Sequence, residues 1–288
     1  VLRYTSHIPT YYICNYFIKP LRSMYMLFII KLGGSVITHK NRYMKANEGN
    51  IKRLAVAIAK ARKLKKFDLI IVHGAGSFGH MPAKKYGIKD GIKTLAHHFG
   101  FAFTHHSCDT LSTIVSKHLL AADLPIITIK PISVILHNNK KIKKFNLGPI
   151  KTALSKGFIP MLRGDVVFDE ILGGSISSGD EQVPYLAKLL KADAIIYCTD
   201  VDGIYDSDPK TNKHAKLIKN LNKQTMKQLE LEHAKTHDVT GGMKGKMEEL
   251  INLGKTADKV FVINGSKPER LTRILTDQKI DIGTTIQI

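Results

Sequence analysis

Leu27-Phe28-Ile29-Ile30-Lys31-Leu32-Gly33-Gly34-Ser35 is the stretch on which the reading of the fold turns. An apolar run of strand formers closed by a glycine pair is the pattern of a buried β-strand that ends in a tight turn. The pattern returns at Leu69-Ile70-Ile71-Val72, which runs straight into His73-Gly74-Ala75-Gly76-Ser77. Between the two, Ile51, Leu54, Ala55, Ile58 and Ala59 recur at helical spacing, which predicts an amphipathic helix over about 47–66. Strand, helix, strand, with both strands apolar throughout, implies parallel strands covered on both faces.

The same rhythm continues outward. A helical stretch covers about 93–121, Pro125 opens a strand at Ile126 to Ile129, and Asn138-Asn139 marks a hairpin within 132–147. A helix over about 149–156 leads to a strand at Ile159 to Leu162. In the second half, 181–191 reads as helix and Ala194 to Cys198 as strand, with helices near 223–231 and 243–254 and a last core strand at Lys259 to Ile263. The expected fold is α/β, an open and mainly parallel sheet sandwiched between helices. Residues 26–288 form one domain, with a soft boundary where glycine and serine turns cluster near 175–180, and lobes of about 26–175 and 176–288. Residues 1–25 are aromatic and unpatterned, and read as a peripheral extension, with Met26 near the functional start.

The 288 residues carry 44 Lys and Arg against 24 Asp and Glu, a formal charge of +20. Such a surplus suits nucleic acid, an anionic membrane surface or phosphorylated small molecules, or it is simple lysine enrichment on helix faces. No aromatic-studded basic stripe lifts the first option, so no nucleic-acid partner is expected. No run reaches the roughly 18 apolar residues of a membrane span, and no membrane partner is expected either. Cys14, Cys108 and Cys198 lie far apart with no CxxC pair or zinc spacing, which suits a reducing cytoplasm.

In an open α/β sheet, ligands sit beyond the carboxyl ends of the strands. Gly33-Gly34-Ser35 and Gly74-Ala75-Gly76-Ser77 both fall there, and glycine lets backbone N–H groups approach phosphate oxygens. No GxxxxGK[ST] sequence occurs, which excludes a P-loop NTPase. Lys31 sits between Ile30 and Leu32, where a buried ammonium group needs an anionic partner. His80 closes the second loop, so its ring N–H can serve an acceptor oxygen. His97, His98, His105 and His106 fall on one long helical stretch without an evident carboxylate set, and read as structural or surface groups. Carboxylates follow at Gly164-Asp165, Ser178-Gly179-Asp180 and Thr199-Asp200-Val201-Asp202-Gly203-Ile204-Tyr205. They suit Mg²⁺ held through water, lysine orientation or, for Asp180, helix capping alone. Gly241-Gly242 opens a further helix with Lys246 near its start, where an anion would relieve the conflict between a lysine and the helix dipole.

In this order, KxGGS at Lys31, HGxGS at His73, TDVDGIY at Thr199 and GGMxxK at Gly241, the chain resembles the amino acid kinase superfamily from Met26 to Ile288. Within it, Lys31 to Thr38, His73 to His80 and the run Ser178 to Ala187 look like the isopentenyl phosphate kinases. The resemblance implies transfer of the γ-phosphoryl group of ATP, with Mg²⁺, to a small alkyl phosphate, in a homodimeric cytoplasmic enzyme. It implies that Lys31, Lys40 and Lys246 neutralise phosphates, that His80 binds the acceptor phosphate and that Asp180 orients lysines. The nucleotide side would comprise Lys31, Gly33, Gly34, Ser35, Gly76, Asp200, Asp202, Gly203, Tyr205, Gly242 and Lys246. The acceptor side would comprise Ala75, Gly76, His80, Gly164, Asp165, Ser177 and Gly179, with Leu95, Phe101, Val166 and Ile176 around a five-carbon tail. The nearest rivals are other kinases of the same fold, acting on acetylglutamate, glutamate or fosfomycin. A non-catalytic nucleotide-binding protein is the rival from another class.

Overall fold

The computed structural model describes residues 25–222, 224–225 and 253–287. Its centre is β1 (Leu27–Leu32), parallel to β2 (Asp68–His73) on one side and to β9 (Ala194–Thr199) on the other. A strand with neighbours on both edges and helices on both faces has no wet side, which is why its sequence is apolar at almost every position. The strand's period of two divides the core. Phe28, Ile30 and Leu32 point to α2 (Glu48–Leu64), α4 (Leu95–Leu120) and α8 (Pro268–Asp277). Ile29 points the other way, to Val183, Leu186 and Ala187 of α7 (Gly179–Leu190). The result is three layers, helix, sheet, helix.

The main sheet has eight strands in the order β12-β14-β13-β9-β1-β2-β6-β3. Here β3 is Ile126–Thr128, β6 Ile159–Arg163, β12 Asn220–Leu221, β13 Lys259–Asn264 and β14 Thr284–Ile286. All pairings are parallel except β13 with β14, which is antiparallel. The expectation that Lys259 to Ile263 is the last core strand is corrected by β14. This strand is only three residues long and lies behind Gly283, too short to show a period in sequence. The helices expected near 223–231 and 243–254 fall almost entirely outside the described residues. No helix among the described residues is long and apolar enough to cross a membrane.

A smaller sheet, β5-β4-β7-β8, grows directly from the end of β6. Its strands are β4 (Ile135–Asn138), β5 (Lys141–Phe145), β7 (Asp165–Asp169) and β8 (Gly173–Ser177). The β4–β5 turn sits at Asn139 and Lys140, with φ of 48° and 66°, one residue beyond the asparagine pair. The β7–β8 hairpin departs from the sequence pattern, in which Gly173-Gly174-Ser175 reads as a turn.

One carboxylate ties both hairpin turns together. Asp169 Oδ1 accepts from the N–H groups of Asn139 (3.0 Å), Ile171 (3.0 Å) and Leu172 (3.1 Å), and Oδ2 from Lys140 (2.7 Å). Burial works to raise its pKa, but the N–H donors outweigh it and bring the carboxyl down from 3.8 to about 2. A depressed folded-state pKa stabilises the protein fully above pH 3.8, and that contribution disappears as pH falls through about 2. Asp169→Asn is therefore expected to lower stability by about 1–3 kcal/mol at neutral pH. It should also flatten the loss of stability between about pH 4 and 2. Urea midpoints measured across pH for both proteins check this; parallel acid limbs would contradict it.

Candidate active site

The carboxyl ends of β1, β2 and β9 meet an open cleft of about 340 Å³. Its floor is made where the two glycine loops touch backbone to backbone. A Cβ added at Gly34 would lie 2.7 Å from both N and Cα of Gly76, so no larger residue fits. Gly76 itself has φ of 50°, in the left-handed region, at the start of α3 (Gly76–Lys85). Thr38 bolts the loops together: its hydroxyl donates to Gly34 O (2.7 Å) and accepts from the Ser77 N–H (3.1 Å). Behind them, His73 is fully buried, and burial lowers its pKa to about 4. The ring is neutral. Its Nδ1 faces Gly74 O at 3.0 Å and so carries the proton, leaving Nε2 to accept from the Ser112 hydroxyl at 2.7 Å.

Lys31, Lys40 and His80 line this cleft, together with Asp200. Strand parity puts Lys31 on the α7 face, between Val72 and Tyr197 in register. Its Nζ lies 5.7 Å from the Tyr197 ring centroid and bonds Asp180 Oδ1 at 2.5 Å. Asp180 is not the helix cap: Ser178 caps α7 by accepting from the Glu181 N–H, which frees Asp180 to face the lysine. Lys40 Nζ bonds Asp200 Oδ2 at 3.0 Å, and Lys210 Nζ reaches the same oxygen at 2.6 Å. Burial works to raise the Asp200 pKa, but the two lysines outweigh it and hold this carboxyl well below the usual range. His80 stands exposed on α3. Gly33, Gly34, Ser35 and Gly76 also line the cleft, and Ala75 caps α3 beside them.

Other expected site residues lie around this centre. Asp202 turns away to Arg270 Nη1 (2.6 Å) and Asn264 Nδ2 (3.1 Å). These bonds hold the turn after β9, whose Gly203 is buried and whose Ile204 N–H donates to Thr284 Oγ1 (2.8 Å). Tyr205 follows in a short strand, β10 (Ile204–Tyr205), paired with β11 (Leu217–Ile218). Gly164 lies beside Ala75 and Gly179, at the junction of the two sheets, and the start of α7 at Gly179 closes over the Lys31 stem. Lys246 and Gly242 lie outside the described residues.

Four residues expected on the acceptor side lie off the cleft lining. The Asp165 side chain is fully buried, between Arg163 Nη2 (2.7 Å) and His105 Nδ1 (3.0 Å). Ser177 is fully buried too, its hydroxyl donating to Glu181 Oε2 (3.1 Å). Leu95 is 86% exposed at the start of α4 and Ile176 is 41% exposed on the outer face of β8, because strand parity turns it away from Ser175 and Ser177. Phe101 and Val166 do come together, in an apolar cluster with Ala83 and Ile88.

Several partners in this region were missed. Arg163 is fully buried, paired with Asp109 (2.8 Å) as well as Asp165, and His105 sits against both of those carboxylates. His105 thus has the carboxylate companions that the sequence reading denied it. The signal was present in Arg163: an arginine closing an apolar strand needs a buried anion by the same reasoning that singled out Lys31. Lys210 gave no such signal, because a lysine in a polar turn looks like any surface lysine.

A doubly wound sheet with two nested glycine loops and lysines at its carboxyl edge is the architecture of a phosphate-handling α/β protein. By the match of residues 26–264, the chain belongs to the amino acid kinase family. It is 36% identical over 260 residues to the isopentenyl phosphate kinase of Methanocaldococcus jannaschii, covering 87% of this chain and 95% of that one. It is 35% identical over 268 residues to the isopentenyl phosphate kinase of Methanothermobacter thermautotrophicus, covering 90% and 98%. A solved isopentenyl phosphate kinase structure superposes with a TM-score of 0.78 at 32% identity, over 91% of this chain and 100% of that one.

The backbone contact between the loops sets a test. Gly34→Ala should force Gly34 and Gly76 apart, at a stability cost of about 1–3 kcal/mol, and displace the cleft floor. A misplacement near 1 Å is enough to reduce turnover about 100-fold. Turnover near the unsubstituted level with unchanged stability would show that the loops do not need this contact.

Proposed function

We propose that this chain catalyses ATP-dependent phosphorylation of isopentenyl phosphate to isopentenyl diphosphate, a step of isoprenoid biosynthesis. The observation that carries the reading is the shared cleft: Lys31, Lys40 and His80 face one opening floored by two amide-rich loops. The second pKa of a phosphate monoester is near 6, so the attacking oxygen is largely ionised at neutral pH and no general base is needed. The barrier lies in bringing two anions into line and in stabilising charge spread over the transferring group. Lysines, a histidine and backbone N–H groups meet that demand.

The N-terminal lobe of about 26–175 holds the acceptor, with its phosphate at His80, Ala75 and Gly76 and its tail against Phe101 and Val166. The lobe of about 176–288 holds the nucleotide, through Asp200, Gly203, Tyr205, Gly242 and Lys246. Lys31 and Lys40 lie between the two phosphates, and Asp180 orients Lys31. Mg²⁺ bound together with ATP would supply charge neutralisation, and Asp200, which lines the cleft, would hold it through water. The described carboxylates fit that role better than a protein cage, since Asp200 Oδ2 already accepts from two ammonium groups. The enzyme acts as a homodimer in the cytoplasm; the buried free thiols of Cys108 and Cys198 agree with a reducing compartment.

Incubating the protein with MgATP and a panel of isopentenyl phosphate, dimethylallyl phosphate, glutamate, acetylglutamate and fosfomycin tests the reading. Isopentenyl phosphate should give the highest kcat/KM, and preference for a carboxylate acceptor would overturn the assignment. His80→Ala should raise KM for isopentenyl phosphate by about 10-fold or more while moving KM for ATP less than about twofold, since a hydrogen bond to a charged group contributes about 1.5–3 kcal/mol. Equal changes in both constants would rule out the role given to His80.

A further inference from the structure

Lys210 is a cation that the phosphate machinery described above leaves unused. It lies on the connection between β10 and β11, where its backbone N–H donates to Asp208 Oδ1 at 2.9 Å. Its ammonium group and that of Lys40 come from two different loops and converge on a single oxygen, Asp200 Oδ2, at 2.6 and 3.0 Å. Both lysine side chains are about half exposed, at 51% and 57%, whereas Asp200 is 32% exposed and lines the cleft.

Two positive charges on one carboxylate leave a surplus of one at the cleft edge. Each ammonium has three donors, and a single carboxylate oxygen uses one from each. A polyphosphate carries several charges and many acceptor oxygens, so it can engage both amines where Asp200 satisfies each only in part. We propose that Lys210 is a further nucleotide-binding residue, whose ammonium leaves Asp200 and donates to a phosphate oxygen of ATP beside Lys40. Asp200 is then the anion that holds both amines until a phosphate oxygen takes its place. It offsets the repulsion between the two amines and keeps both long side chains turned toward the cleft, which reduces the ordering entropy lost on binding. Lys210 also reports binding by charge alone, since a lysine makes point-charge contacts rather than a bidentate fork.

This inference rests on the nucleotide site of the kinase reading, and its test separates the two. Lys210→Gln and Lys210→Arg are assayed for ATP and isopentenyl phosphate kinetics, for calorimetric binding of ATP alone, and for thermal midpoint. The glutamine variant should weaken ATP binding and raise KM for ATP by about tenfold, with KM for isopentenyl phosphate changed less than about twofold. The arginine variant should recover most of that loss. The thermal midpoint should stay where it is, because an exposed ion pair adds little stability. Unchanged ATP affinity, or equal rises in both KM values, overturns the proposal. ATP binding that depends on Lys210 in a protein inert toward isopentenyl phosphate supports the proposal while removing the acceptor assignment. A protein that does not bind ATP at all removes both.

Discussion

Amines gathered at one edge of a sheet repel each other, and this repulsion shapes the site. Among the described residues, three amines of the site are answered by carboxylates from separate segments: Lys31 by Asp180, and Lys40 and Lys210 by Asp200. Phosphoryl transfer needs this gathering of charge, because its transition state spreads negative charge over several oxygens at once. Under the exchange proposed above, Asp200 gives up Lys210 to a phosphate oxygen, while Asp180 keeps Lys31 oriented. The pairs are partly exposed, so the exchange of partners does not require breaking into the core. A lysine committed to a fully buried partner could not make that exchange.

The buried groups behind the cleft obey the opposite rule. Arg163, Asp165 and His73 are shut away from water, and every charge among them is matched inside the fold. Removing one partner of such a pair leaves an uncompensated buried charge, at a cost of several kcal/mol. The Arg163 pairs fasten the end of β6 to Asp109 on α4, and the neutral ring of His73 joins Ser112 of α4 to the loop at Gly74. Helix α3, which carries His80, packs against that same α4 through Gly79 and Cys108. Buried ionic pairs thus set where the exposed, exchangeable ones stand.

Much of this was legible in the chain itself. The central strands, the long helices and the two glycine loops announce themselves through unbroken apolar runs and helical spacing, since burial on both faces leaves no polar residue to confuse the pattern. Lys31 stood out for the same reason, as one charge inside such a run. What escaped was set by partners distant in sequence. The short strands β8 and β14 owe their state to neighbours rather than to propensity. Asp165 and Ser177 looked available because motif position says nothing about burial, and Ile176 looked inward because its parity depends on a hairpin that the glycines hid. Lys210 is visible only once Asp200 is placed beside it.

Acceptor choice follows from the contrast between the two ends of the proposed acceptor site. At one end, His80 and the amides at the start of α3 suit an anion. At the other, Phe101 and Val166 sit in a buried apolar cluster with Ala83 and Ile88, where Phe101 lies against Gly174 so closely that an added Cβ would come within 2.6 Å of its ring. An amino-acid acceptor would bring an ammonium and a carboxylate against these apolar side chains, at a desolvation cost of several kcal/mol. An alkyl phosphate has its charge at one end only. The proposed acceptor site, with an anion-binding end and an apolar end, matches that one-ended charge.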